Sequence, residues 1–172
     1  MMMSKKLGKL SARRGWAAVL ALGLTLGFSL FNAGPASASV IVQNTLIRNW
    51  ETGMCLEWNP AGSDYVITGT CNFETNVQRW DVEFQYHANY DVVTIKTRSG
   101  KALTWTNDFT SVKTLNYAAG SSNQQFAGVG SSWDQVQLTD VSTRHCLDSN
   151  RVGQTYGLGC NGGGYQKWKL GY

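Results

Sequence analysis

The sequence predicts an all-β fold made of three copies of one short motif packed about a common axis. Three observations predict it. Related segments recur along the chain: Cys55 lies 47 positions before Ala102, which lies 44 before Cys146. Each copy closes on a Gln-x-aromatic triplet, at Gln78-Arg79-Trp80, Gln124-Gln125-Phe126 and Gln166-Lys167-Trp168, the glutamines 46 and 42 apart. No stretch after Ala38 keeps a helical period, while 19 glycines and two prolines suit a turn-rich β chain. One such unit is too small to bury its own apolar face. Three packed together can bury it, and closing the ring removes exposed strand edges.

The first element is a leader. Residues 1–15 carry Lys5, Lys6, Lys9, Arg13 and Arg14 and no acid; an apolar run from Trp16 to Phe31 follows, then Ala36-Ser37-Ala38. A basic start, a greasy middle too short to span a bilayer and an A-x-A exit read as a signal peptide, residues 1–38, cleaved after Ala38. The expected location is therefore extracellular, with no membrane insertion of the mature chain. Arg13-Arg14 leaves both twin-arginine and general export open. The leader takes five of the 15 basic residues and none of the 11 acidic ones, so the mature charge is −1 rather than +4. A nucleic-acid partner is not expected, because no basic cluster survives.

Residues 39–44 come next. The β-branched run Val40-Ile41-Val42 stands outside the repeat and has no pairing partner within the three-fold unit on this reading. It is either a lead-in strand or a free arm that adds to another protein's sheet.

Within the repeats, Leu46–Arg48, Tyr65–Thr70, Trp80–Phe84, Val92–Thr97, Val136–Thr139 and Trp168–Leu170 read as strands between Gly, Asn, Asp and Ser turns. The four cysteines form an even set in an exported chain and read as disulfides. Of three possible pairings the internal repeat selects Cys55–Cys71 and Cys146–Cys160, since each pair then occupies matching places in its own copy. The second copy carries Ala102 and Tyr117 there, and is expected to be the softest. A metal site is not expected: there is no C-x-x-C, and the only histidines are His87 and His145. No cofactor is implied.

The Cys-Leu-acid strand, the second cysteine and the Gln-x-Trp ending, three times over, resemble the ricin B-type β-trefoil lectin family across about residues 45–172. The resemblance implies a β-trefoil of three repeats with four short strands each, about 45–90, 91–133 and 134–172. It also implies that the Gln-x-Trp residues are structural: Trp80, Phe126 and Trp168 suit a shared core, and Gln78, Gln124 and Gln166 can bridge buried backbone groups.

Sugar sites in that family use an acid just after Cys-Leu, an aromatic platform two before the second cysteine, and a polar residue beside the closing glutamine. The first repeat offers Glu57, Gly69 and Val77. The second offers Thr104, Leu115 and Asn123. The third offers Asp148, Leu158 and Tyr165. No repeat holds the full set. The third comes nearest, with Asp148, Asn161, Gln166 and the possible platforms Tyr156 and Tyr165; Asp148 also reads as a turn-capping carboxylate.

Four tryptophans, Trp50, Trp58, Trp105 and Trp133, stand outside the Gln-x-Trp positions. With Glu57 and Asn123, the matched pair Trp58 and Trp105 forms a candidate ligand or partner contact if exposed, and core filling if not. No nucleophile or phosphate-loop motif is present, so catalysis is not expected. Two readings remain: a secreted glycan-binding module, or an adaptor subunit of a secreted complex using the leading strand and free tryptophans.

Overall fold

The computed structural model describes residues 39–59, 61–106 and 111–171. The expected signal peptide lies outside the described residues. Among the described residues thirteen strands follow one another: β1 (Val40–Thr45), β2 (Ile47–Asn49), β3 (Cys55–Trp58), β4 (Val66–Gly69), β5 (Trp80–His87), β6 (Asp91–Thr97), β7 (Lys101–Trp105), β8 (Val112–Asn116), β9 (Phe126–Val129), β10 (Val136–Asp140), β11 (His145–Ser149), β12 (Thr155–Gly159) and β13 (Lys167–Leu170). Each stretch read as a strand from the sequence falls on one of these. Short 3₁₀ turns carry the three closing glutamines.

All pairing is antiparallel. β5, β6, β9, β10, β13 and β2 form consecutive neighbours, while the hairpins β3–β4, β7–β8 and β11–β12 branch from them. The three-fold register is visible in single pairs. Trp80 faces Thr97, Phe126 faces Asp140, and Trp168 faces Asn49 across successive repeat boundaries. The hairpins also meet one another in a ring: Tyr65 bridges Lys113, Ser111 bridges Tyr156, and Gln154 bridges Ile67. This is the β-trefoil architecture.

The core explains why Gln-x-Trp recurs. Trp80, Phe126 and Trp168 are fully buried among Leu56, Leu103 and Leu147. The Trp80 and Trp168 indoles each donate to a main-chain carbonyl, Leu56 O and Leu147 O, both at 2.9 Å. Opposite them, Asn49 and Asp140 turn their Oδ1 atoms onto the following backbone N–H groups (Glu51 and Thr52; Ser142 and Thr143), tying down the turn between the first two strands of a repeat.

Both disulfides form as the repeat selected, Cys55–Cys71 and Cys146–Cys160. In the middle repeat Ala102 is fully buried, and Tyr117 instead receives the Lys96 ammonium, 3.7 Å from its ring centroid. Lys96 also pairs with Glu83 at 2.6 Å.

One expectation is corrected. Residues 39–44 do have a partner inside the three-fold unit: β1 pairs with β5 through Val40–Glu83, Val42–Val82 and Thr45–Trp80. The physical reason is that Trp80–Glu83 of β5 has one edge left over from its pairing with β6, and an extended β-branched segment fits it. Val40 and Ile41 remain exposed, and Val42 packs against the core.

Candidate functional site

The three closing glutamines do one job with small variations. Each accepts a backbone N–H on Oε1 at 2.8 Å: Asn72 to Gln78, Ala118 to Gln124, Asn161 to Gln166. Each Nε2 donates to a carbonyl just before the second-cysteine position: Thr70, Asn116 and Gly159. The same amide then meets the side chain two residues beyond the first-cysteine position. There the repeats diverge.

In the first repeat Gln78 Nε2 donates to Glu57 Oε2 at 2.8 Å, and Gly69 supplies no platform; a Cβ there would sit 2.9 Å from the same Glu57 oxygen. In the second, Thr104 Oγ1 takes that place at 3.0 Å from Gln124 Nε2 and is buried. Asn123 is spent locally: its Nδ2 donates to Trp105 O, and its Oδ1 lies 2.6 Å from Ser121 Oγ.

The third repeat has a cleft at this position. Asp148, Asn161, Tyr156 and Tyr165 line one cleft of about 470 Å³, with Arg151, Asn150 and the exposed Leu158. β11 and β12 place Asp148 and Tyr156 as a cross-strand pair. Asp148 is only 3% exposed. Burial pushes its carboxyl above the ordinary carboxylate value, against hydrogen bonds from Gln166 and Tyr156 that pull it down. Burial, followed by the Asp148 charge, likewise raises the Tyr156 hydroxyl. The carboxylate is thus an acceptor fixed in direction by two donors at the floor of a cleft, which suits it to a ligand hydroxyl. Gln166 stands behind the site, fully buried, and acts through Asp148 and Asn161 rather than on the cleft.

Arg151 is the residue that sequence reasoning missed. Its Nε donates to the Tyr165 hydroxyl at 3.0 Å, and its guanidinium reaches Glu51 Oε1 at 3.3 Å. Glu51 comes from the first repeat, 100 residues away, so no local motif announces the contact. The Gly162-Gly163-Gly164 loop carries the other side. A Cβ at Gly164 would meet Glu51 Oε2 at 2.6 Å, so a side chain there would push the acid aside.

The other candidates do not join this cleft. Trp105 is 1% exposed and belongs to the core; its placement as a ligand contact is corrected. The reason is the bare backbone of Gly157, whose missing side chain leaves the space its indole fills. Trp58 is half-buried against the same core. Among the described residues Trp50, at 56% exposure, is the tryptophan left to solvent. Among the described residues no cluster of three His, Cys, Asp or Glu side chains is placed to hold a metal. No described helix is long and apolar enough to cross a membrane.

The family model of the ricin-type beta-trefoil lectin domain matches residues 43–168. No curated protein matches the chain. Among solved structures, the designed 3-fold symmetric protein ThreeFoil is similar with a TM-score of 0.63 at 23% identity, over 74% of this chain and 97% of that one. SeviL, solved bound to asialo-GM1 saccharide, gives 0.58 at 21% identity, over 75% and 96%. A GlcNAcα1-4Gal-releasing endo-β-galactosidase from Clostridium perfringens gives 0.63 at 18% identity; the match covers 75% of this chain and 32% of the enzyme. At these identities the likeness is one of fold.

Proposed function

The chain belongs to the ricin-type β-trefoil lectin family, and from that premise we propose that it is an exported, non-catalytic module that binds a glycan in the cleft of its third repeat. The observation that carries this is the Asp148 carboxylate, buried, aimed by Gln166 and Tyr156, and opening on a hollow lined by Tyr165 and Asn161. A sugar needs an acceptor for adjacent hydroxyls and an aromatic face for its C–H side. Asp148 supplies the first. Tyr156 and Tyr165 supply the second in place of the family's platform, which here is Leu158.

The other two positions contribute scaffold. Glu57 is held by Gln78 beside a missing platform, and Thr104 offers no charge. Export is supported by the composition of residues 1–38 and by the two disulfides, which suit an oxidising compartment. The adaptor reading loses two of its supports, since Trp105 is core and β1 is paired to β5.

A glycan array on the purified protein, repeated with Asp148→Ala, tests the proposal. Sub-millimolar binding that the substitution abolishes supports it. A silent array together with a stoichiometric protein recovered from the medium would replace it with the adaptor. Glycan turnover abolished by Asp148→Asn would refute the non-catalytic part.

A further inference from the structure

A second cleft lies away from all three inherited positions. It is formed where the β5–β6 turn, residues 88–90, faces the β9–β10 connection, residues 130–135, and encloses about 290 Å³. Neither segment belongs to a hairpin that carries a sugar position in the family pattern.

Its walls are built rather than incidental. Trp133 is half-buried, one side packed on the core. It is positioned by two glycines. A Cβ at Gly128 would lie 2.6 Å from the indole, and one at Gly130 would lie 2.8 Å from Gln135 O, so the loop folds back tightly under the ring. The Leu170 N–H donates to Trp133 O at 2.8 Å and ties the loop to the barrel. On the facing side stands Tyr90, 45% exposed. The Tyr90 turn is hollow on its other flank too, where Asn89 and Tyr90 border a cleft of about 220 Å³. Tyr90 thus borders both hollows.

The polar equipment sits at the hairpin mouth. His87 and Asp91 are a cross-strand pair, and His87 Nδ1 lies 2.7 Å from Asp91 Oδ1. That contact fixes the carboxylate through one oxygen and leaves Oδ2 to accept from a ligand hydroxyl. Asn89 and Ser132 add amide and hydroxyl groups. No Lys or Arg lines the cleft, so a phosphate or an acidic sugar finds no permanent counter-charge there. Two aromatic side chains, a carboxylate held through one oxygen and neutral polar groups, in a hollow at the small end of ligand clefts, match a neutral pyranose.

We infer that the cleft between Trp133 and Tyr90, with Asp91 as its hydroxyl acceptor, is a second carbohydrate-binding site taking a neutral hexopyranoside. It is independent of the third-repeat reading. The experiment therefore uses the Asp148→Ala protein, so that failure at one site is not mistaken for failure at the other. The isotope-labelled protein is titrated with methyl β-galactopyranoside, methyl α-mannopyranoside and N-acetylglucosamine to high millimolar concentration while backbone amides are followed by NMR. Saturable shifts confined to residues 87–91 and 128–136 are expected with at least one sugar. Asp91→Ala, on an exposed strand end, should weaken that binding on the order of tenfold, as should Trp133→Ala. Asp91→Ala keeps the test valid if loss of Trp133 disturbs the fold. Absence of saturable shifts at residues 87–91 with all three sugars overturns the inference. So does binding that survives Asp91→Ala unchanged.

Discussion

The indole of Trp105 fills the place where a side chain at Gly157 would stand; a Cβ added there would lie 1.5 Å from the ring's Cζ2 atom. The two residues belong to different repeats. Their fit joins the β7–β8 hairpin to the β11–β12 hairpin that carries Asp148 and Tyr156. Gly157→Ala is therefore expected to destabilise the fold by about 3 kcal/mol, at the upper end of overpacking costs. Trp105→Ala should cost about 3–5 kcal/mol by opening a cavity. Combined, the two substitutions should cost less than their sum, because each removes the other's contact. Urea unfolding of both singles and the double checks this. Strict additivity would mean that the contact does not couple the hairpins.

Arg144 holds a backbone conformation for which the other repeats use glycine. Its φ is +65°, beside +70° at Gly53 and +83° at Gly100 in the same turn. A side chain in the left-handed region is strained. Arg144→Gly should therefore stabilise by about 0.5–1 kcal/mol, the relieved strain exceeding the extra freedom given to the unfolded chain. A melting temperature raised by a few degrees is the expected reading. A lowered one would show that the arginine side chain makes a compensating contact.

Asp148 makes stability and binding respond to pH in opposite directions. Its folded-state pKa lies above the ordinary 3.8, chiefly through burial. Between 3.8 and the raised value the folded state holds more protons than the unfolded one, so stability falls as pH rises through that window. Below 3.8 both states are protonated and no penalty applies. Asp148→Asn should lack this fall, and the difference in unfolding free energy between the two proteins should change across the window and level off above it. Sugar binding at the third repeat needs the carboxylate and should weaken as pH drops through the same interval. Identical stability profiles for the two proteins would contradict the raised pKa.

The middle repeat is the one without a covalent staple, and geometry offers it one. In the other repeats the equivalent Cα atoms stand 4.9 and 5.1 Å apart. Ala102→Cys with Tyr117→Cys should form a third bridge under oxidising conditions. A loop of this length contributes about 3 kcal/mol in the chain-entropy model, less up to about 1 kcal/mol for the lost Lys96–Tyr117 contact. In the unmodified protein, amide exchange among the described residues should be fastest within 100–106 and 111–120. A mass shift on oxidation and a raised denaturation midpoint are the readouts; uniform exchange across the three repeats would count against a softer middle repeat.

The fold was legible because symmetry prints each core position three times: Trp80, Phe126 and Trp168 announce one another, as do their glutamines. The residues that break symmetry were harder to read. Trp58 and Trp105 share a sequence position, yet Trp105 is buried because Gly157, 52 residues on, has no side chain. The partner of β1 was hidden because the repeat pattern marks Trp80–Phe84 as a strand without showing that one of its edges is left for a segment outside the repeat. At the site, Asp148 and the tyrosines followed from the repeat pattern. Arg151 did not, because its partner Glu51 lies 100 residues away in sequence, in the first repeat. The Trp133–Tyr90 cleft lies in turns that the repeats do not share, so no periodicity points to it.

The pairs Trp80–Thr97, Phe126–Asp140 and Trp168–Asn49 have a consequence for biogenesis. Every repeat lends its last strand to the first strand of the next, and the final loan returns to residues near the start. The ring cannot shut until residues 168–170 have left the ribosome to meet 47–49. Earlier lengths of chain carry a seam with Ile47 and Asn49 unpaired on it. Closure of the ring therefore comes last, and the chain exposes that seam until its final strand is in place.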